Sequence, residues 1–337
     1  MPNQRLPPEI SQKVEFLSQP TSYPHHPNQV ERIETHMSWV FLVDDYVYKL
    51  KKPVRSEVLD FTTVAARRHN CQTEVRLNRR LAPQVYLGIE SLRMDISGNL
   101  HLGNSGQAVD WLVHMRRLPA EGMLDHGIEQ GTVRETDLEP VVRRLTRFYQ
   151  QTPLEPLSEQ TYRHRIEADL RDLRGELEEA KPFSQEDISP IITPQLELLQ
   201  GEPELFKHRV AQHIVEGHGD LRPQHICLRP ETAIIDCLEF NRALRILDPA
   251  DELAFLWLEC ERLGAAWIGE WIFTSYCKIS GDWPPPRLVS FYKAYRACLR
   301  AKLAVRHSHD PGQQDADYWY GRSRTYLQLA QRYLAGF

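Results

Sequence analysis

Apolar and polar positions change their period several times along the chain. Residues 8–18 place Val14 and Leu17 on one side of a short helix, and 19–29, with three prolines and two histidines, read as a loop. Alternation then takes over. Val30–Glu34, Ser38–Val43 and residues 46–50 are rich in β-branched and aromatic side chains, which predicts three strands, the last two joined by a turn at Asp44-Asp45. After a Lys-Lys-Pro break, residues 62–81 predict a long helix. Val64, Cys71 and Val75 fall on one side with Leu77 and Leu81 beside them, and Pro83 ends it. Residues 85–94 and 108–115 predict two further strands across a turn-rich 95–99. Three strands, one helix and two strands make an antiparallel sheet with a helix against it, an α+β arrangement.

From about residue 120 the period is helical. Thr136-Asp137-Leu138-Glu139 reads as a capping box with Pro140 in the first turn. Tyr162, Ile166, Leu170, Leu173 and Leu177 form one stripe, and Arg163, Glu167, Arg171, Arg174 and Glu178 form the charged back of the same helix. Residues 250–260 are apolar nearly all round, which predicts a buried central helix. Tyr292, Tyr295, Leu299 and Leu303 mark another helix and 315–334 a last one. The expected organisation is a sheet-rich lobe over 1–114 and a larger helical lobe over 115–337, with no internal repeat.

Composition changes this picture little. The 337 residues are 41% hydrophobic and 26% charged with a formal net charge of −5, which gives no reason to expect a nucleic-acid or membrane-surface partner. No apolar run reaches membrane-spanning length, and residues 1–5 lack the apolar core of a signal peptide. The six cysteines form no CxxC pair and fall mostly in apolar segments, so they read as free core thiols in a reducing cytoplasm. Cys227, Cys237, His213 and His218 match no common zinc-ligand spacing.

The chemistry concentrates in His218-Gly219-Asp220-Leu221-Arg222-Pro223-Gln224-His225-Ile226, a polar turn between apolar residues 211–215 and 226–228. Ala233-Ile234-Ile235 then delivers a second acid, Asp236. The intervening Arg229-Pro230-Glu231-Thr232 reads as a hairpin turn that returns Asp236 beside Asp220. Two carboxylates at the ends of short strands suit phosphoryl transfer, one facing the acceptor hydroxyl and one a metal ion.

His218-Gly219-Asp220-Leu221, with His225 five positions after the Asp, is similar to the catalytic loop of the aminoglycoside phosphotransferase and choline kinase group, and resembles the protein-kinase loop. Ile234-Ile235-Asp236 looks like that group's metal-binding acid, and Asp248-Pro249-Ala250-Asp251-Glu252-Leu253-Ala254 resembles its G-D-P-x-x-D-L-A stretch. In order and spacing the resemblance spans about residues 30–260. It implies a bilobal protein kinase-like fold and an ATP-dependent phosphotransferase acting on the hydroxyl of a small molecule. Asp220 would accept or orient the hydroxyl proton, and Asp236 would hold Mg²⁺. Lys49 or Lys51 would meet the phosphates with Glu74 as ion-pair partner. Met115 and Arg116, where the last strand leaves the sheet lobe, would meet adenine. Asp251 would have a structural role in bracing the catalytic turn.

The sequence departs from that pattern twice. The family's second metal ligand is Asn, and here the position is His225. Imidazole suits Mn²⁺, Zn²⁺ or Fe²⁺ better than Mg²⁺, and can instead bind a phosphate oxygen. Glu239 or Asn241, close after Asp236, can supply a replacement oxygen. The expected Gly-rich phosphate loop is replaced by residues 34–39 without a glycine, where Thr35, His36 and Ser38 offer side-chain donors. These departures keep two other readings open: a catalytically silent nucleotide-binding module that acts through a protein partner, and a kinase fold that transfers a nucleotidyl group. The acid clusters at 176–179 and 259–261 suit either a cationic acceptor or a solvated face.

Overall fold

The structure, a computed structural model, describes residues 8–56, 59–180, 183–309 and 315–335. Residues 1–5, on which the signal-peptide reading rests, lie outside these. The chain opens with helix α1 (Ile10–Leu17) and strands β1 (Val30–Glu34), β2 (Ser38–Val43) and β3 (Tyr46–Lys51). A short pair, β4 (Arg55–Ser56) and β5 (Leu59–Asp60), precedes α2 (Val64–Asn78). Strands β6 (Tyr86–Met94), β7 (Leu100–Leu102) and β8 (Gln107–Arg116) follow, then a short α3 (Leu124–Glu129). Helices α4 (Glu135–Gln151), α5 (Glu159–Glu179), α6 (Gln185–Gly201) and α7 (Glu204–Gln212) lead to β9 (Val215–Glu216), β10 (Ile226–Cys227), β11 (Ala233–Ile234) and β12 (Ile246–Leu247). Helices α8 (Pro249–Arg262), α9 (Ala266–Ser280), α10 (Pro286–Ser308) and α11 (Ala316–Leu334) complete it.

Contacts divide the chain into two units. The described residues through Gly127, with Gln224–Leu244, form the first. Ile128–Pro223 and the described residues from Arg245 onward form the second. This division differs from the 1–114 and 115–337 lobes: the segment carrying His225, Asp236 and Glu239 groups with the sheet, and the boundary runs between Asp220 and His225.

The first unit is built on a curled, six-stranded antiparallel sheet in the order β1-β2-β3-β8-β6-β7. The strands agree with the alternation except for β7, which at three residues is too short to show a period. Directly opposed residues share a face, so the register sorts the sheet into two sides. Phe41, Tyr48, Leu50 and Leu112 pack with Val14 and Leu17 of α1. Val113 faces the other way, with Cys71 and Val75 of α2 and Cys227 and Ala233 of the β10–β11 hairpin. Lys49 and Lys51 lie on this second side, opposite Val113 and Ser38 in register. A buried charge cluster ties α1 and α2 to β8. Lys13 reaches Asp110 at 2.8 Å, and Arg67 grips both oxygens of the same carboxylate at 2.8 Å.

The second unit is helical. Tyr162, Ile166, Leu170, Leu173 and Leu177 of α5 are all buried, and α8 is buried on most of its circumference. Helix α4 starts earlier than its capping signal suggests. Asp137 accepts the backbone N–H of Arg134 at 3.0 Å, and Pro140 lies inside the helix. Thr136 is already helical, so it is not available as a cap. Among the described residues no helix is long and apolar enough to cross a membrane, and all six cysteines are buried and free.

Candidate active site

In the first unit, strand β3 supplies two lysines and α2 supplies the carboxylate between them. Lys49 Nζ donates to Glu74 Oε1 at 3.0 Å and to Asp236 Oδ1 at 3.0 Å. Lys51 Nζ pairs with the other Glu74 oxygen and with Glu239. Glu74 is therefore a fully buried bridge and not a solvated helix charge. The two lysines share a face but not an environment. The Lys51 side chain is 1% exposed and the Lys49 side chain 16%. Lys49 is thus the one that shares Asp236 and keeps access to solvent.

The electrostatics follow from this packing. Burial works against the Lys49 charge, and Asp236, Glu74 and Glu239 outweigh it, holding the ammonium well above its usual range. Burial likewise raises Glu74, but Lys49 and Lys51 pull it below the ordinary glutamate value. Lys49, then His225, depress Asp236 far below a normal carboxyl group against the opposing effect of burial. All three groups are charged at neutral pH. Two ammonium groups face three carboxylates, so this cluster carries one surplus negative charge before any substrate binds.

Asp236 follows the β10–β11 hairpin with φ at +61°, a left-handed conformation that non-glycine residues adopt at a cost. Two side chains hold it there. Tyr86 Oη accepts the Asp236 N–H at 3.1 Å, and Asn78 Oδ1 accepts the Cys237 N–H at 2.9 Å. Neither residue is marked in the sequence, because a buried Asn on a helix and a Tyr on a strand look like ordinary core. The His225 carbonyl accepts from Ile235 N–H at 2.9 Å, and His225 Nε2 lies 3.6 Å from Asp236 Oδ2.

The other residues singled out in this unit take varied places. Glu239 is drawn to Lys51, and Asn241 Oδ1 closes a local turn on the Ala243 N–H at 2.9 Å. Met115 and Arg116 end β8. The Arg116 N–H is already bonded to the Val85 carbonyl at 2.8 Å, so it is not a vacant donor. In the turn between β1 and β2, Thr35 Oγ1 donates to the Ser38 carbonyl at 2.9 Å, which removes it as a phosphate donor. Ser38 is 1% exposed, and its hydroxyl has no hydrogen-bond partner among the described residues.

In the second unit, β9 leads into Gly217-His218-Gly219-Asp220. The Glu252 carboxylate, in the first turn of α8, accepts the His218 N–H at 3.0 Å and the Gly219 N–H at 2.5 Å. Tyr149 Oη donates to the same carboxylate at 2.7 Å. Gly217 suits this contact: a Cβ there would lie 2.8 Å from Leu247 Cδ1 and 2.9 Å from Glu252 Oε2, so both side chains would have to shift. Gly219 takes φ of +90°. The brace is thus Glu252 and not Asp251, which instead forms a two-pronged ion pair with Arg296 at 2.7 and 2.5 Å. Successive helical residues point about 100° apart, and sequence alone does not say which of two adjacent acids faces the turn. Asp220 receives Arg222 Nη2 at 2.8 Å on Oδ2, and its side chain is 28% exposed.

Among the described residues no group of three or more His, Cys, Asp and Glu side chains stands ready to hold a metal ion. In the first unit two side chains with ligand atoms stand together. The partly exposed Asp236 carboxylate has His225 beside Oδ2, and the surplus negative charge is local.

No protein-family model matches the chain. An uncharacterised protein of Mycobacterium tuberculosis (strain H37Rv) is 34% identical over 293 residues, 84% of this chain and 56% of that protein, and a protein of Mycobacterium bovis matches equally. The chain therefore spans about half the length of the curated relatives it matches. Among solved structures, a choline/ethanolamine kinase family protein from Mesorhizobium loti superposes with a TM-score of 0.53 at 14% identity, covering 96% of this chain and 99% of that one. A choline kinase from Cryptosporidium parvum gives 0.54 at 11%, covering 95% and 96%. A glucosamine kinase solved with glucosamine, ADP and inorganic phosphate gives 0.52 at 13%, covering 96% and 84%. At these identities the common property is the fold, and the chain has the protein kinase-like fold of these neighbours.

Proposed function

We propose that the chain is an ATP-dependent phosphotransferase that moves the γ-phosphoryl group to the hydroxyl of a small molecule. The observation that carries this reading is the buried Glu74 bridge, which fixes Lys49 while leaving it partly open to solvent and next to Asp236. Two of the three ammonium donors of Lys49 are taken by Glu74 and Asp236, and the third is left for a phosphate oxygen. Asp236, with His225 beside it, would hold Mg²⁺ or Mn²⁺, which would neutralise phosphate charge. Asp220, on a turn fixed by Glu252, would orient the acceptor hydroxyl and take its proton. In a loose transition state the gain comes mainly from this positioning.

The neighbours named as choline and glucosamine kinases support the reaction class, because small-molecule phosphoryl transfer is carried on this fold. A thermal-shift series with ATP, ADP and GTP, each with Mg²⁺ or Mn²⁺, is the test. At saturating ATP the melting temperature rises. Lys49→Met abolishes the rise and Lys51→Met lowers the baseline stability instead. No shift with any nucleotide overturns the proposal. Binding without turnover for any acceptor moves the reading to a silent module, and product mass separates phosphoryl from nucleotidyl transfer.

A further inference from the structure

Seven residues beyond Glu252, on the same face of α8, lies a second buried carboxylate, Glu259, with no exposed surface. It is bracketed by two arginines. Arg262 Nε donates to Glu259 Oε2 at 3.0 Å, and Arg300 Nε of α10 lies 3.4 Å from Oε1. Tyr326 Oη of α11 donates to Oε1 at 2.6 Å, and both guanidinium carbons stand over the Tyr326 ring, at 5.7 and 5.8 Å. Arg262 thus spends its Nε on the glutamate, whereas Arg300 Nε donates to Tyr326 Oη at 3.5 Å while pairing with the same glutamate. Among the described residues the Nη1 and Nη2 atoms of both take no hydrogen bond. The two side chains are 14% and 16% exposed.

This arrangement holds two guanidinium forks in fixed orientation, each with its outer pair of donors unspent. One carboxylate balances two cations, so the cluster is net positive. Planar forks with paired donors match carboxylate and phosphate oxygens, and the buried glutamate and tyrosine remove the side-chain entropy that a surface arginine would lose on binding. The position relative to the turn before Asp220 is set by α8: seven residues at the helical rise place Glu259 about 10 Å along the axis from Glu252, which accepts the His218 and Gly219 N–H groups. Burial opposes the Arg300 charge, and Tyr326, Glu259 and Asp220 together outweigh it.

We infer that Arg262 and Arg300 form an oxyanion subsite of the acceptor pocket, and that the acceptor is an anionic hydroxy compound carrying its phosphate or carboxylate several bonds from the reacting hydroxyl. A polycationic amine, which an acid-lined pocket would select, is disfavoured here. The inference rests on the phosphotransferase reading for the word acceptor, but the anion site stands on its own geometry.

The test is calorimetric titration of the full chain with inorganic phosphate, followed by turnover of ATP with matched hydroxyl compounds: glycerol 3-phosphate, glycerate, glycerol and choline. Phosphate binds the wild type and is weakened at least tenfold in Arg300→Gln and Arg262→Gln, with a smaller loss in Arg300→Lys, which keeps the charge but not the fork. The nucleotide-induced thermal shift is unchanged in all three. Where either Gln variant fails to melt cooperatively, Arg300→Lys alone decides, with a loss of at least threefold expected. Faster turnover of glycerol 3-phosphate identifies phosphate as the recognised group, and faster turnover of glycerate identifies carboxylate. Equal phosphate affinity in wild type and variants, or a preference for glycerol or choline, overturns the subsite while leaving the kinase reading intact. Absence of any nucleotide shift, with phosphate binding still sensitive to Arg300, overturns the kinase reading and keeps the anion site.

Discussion

Glu74 and Glu252 are both sealed from solvent, at 0% and 1% exposure, yet they are met by opposite kinds of partner. Glu74 is held by two ammonium groups, one of which, Lys49, is the proposed phosphate contact. Glu252 is held by two backbone amides and a phenol, none of which can leave. The first glutamate fixes a charge, and the second fixes the shape of a loop. A charge clamp can exchange partners when a phosphate arrives, whereas a loop clamp is useful only while it stays closed. On the proposed function the two units would divide the work, one holding the nucleotide through the charge clamp and the other the proton acceptor through the loop clamp.

The largest effect that tests this division is at Asp220. Asp220→Asn keeps the turn, since the amides gripped by Glu252 are untouched, but removes the carboxylate proposed as the proton acceptor. Turnover is expected to fall by about 10²- to 10⁴-fold. Nucleotide affinity, measured by the same thermal shift, stays within twofold. Loss of nucleotide binding in this variant would show that the two units do not act separately.

Next in size are the glutamates themselves. Glu74→Gln leaves two buried ammonium groups short of countercharge and is expected to cost about 3–5 kcal/mol of stability, together with nucleotide binding. Glu252→Gln turns an amide donor toward backbone N–H groups that need an acceptor, at a cost of about 1–3 kcal/mol. It lowers turnover and leaves nucleotide binding in place. Urea melts and nucleotide titration of both variants separate the two patterns. Equal loss of nucleotide binding would erase the contrast.

How much of this was legible beforehand differs between the units. The strand pattern, the α5 stripe and the turns that carry Asp220 and Asp236 could all be read, because periodicity and turn chemistry are local; the roles of the two acids are a proposal. The choice between Lys49 and Lys51 could not, because alternation fixes a face and not an exposure. Glu74 was equally ambiguous: α2 buries Arg67, Asn70, Glu74 and Asn78 along with its apolar residues, so its inward face does not look hydrophobic. Tyr86 holds the Asp236 N–H from 150 positions away in sequence and Asn78 the Cys237 N–H from 159, and no local pattern encodes such a pin. Arg262, Arg300 and Tyr326 converge from three helices, which only packing reveals.

Acidification weighs on the charge clamp in particular. Glu74 titrates below its ordinary value of 4.5 in the folded state, so the unfolded chain binds the proton more readily. The stability this contributes is fully present above pH 4.5 and is lost as pH falls from there through the depressed folded value. Melting temperature should therefore decline below pH 4.5 in the wild type, and less steeply in Glu74→Gln, which has nothing left to protonate at that position. Identical acid limbs in a thermal melt series would place the acid sensitivity elsewhere.

The smallest effect is at Ser38, and it bears on the turn between β1 and β2, which has no glycine and is the proposed phosphate loop. Its hydroxyl is buried without a hydrogen-bond partner, on the same sheet face as Lys51, its neighbour in register. An unsatisfied buried donor is a cost, so Ser38→Ala should leave stability unchanged or raise it by up to about 1 kcal/mol. If the hydroxyl is instead kept for a phosphate oxygen, the same variant weakens ATP about two- to tenfold, the worth of one hydrogen bond. The two readouts move in opposite directions only if the serine is held for substrate. Lower stability with unchanged ATP affinity would make Ser38 a packing residue, and would leave Lys49 as the proposed phosphate contact on this face.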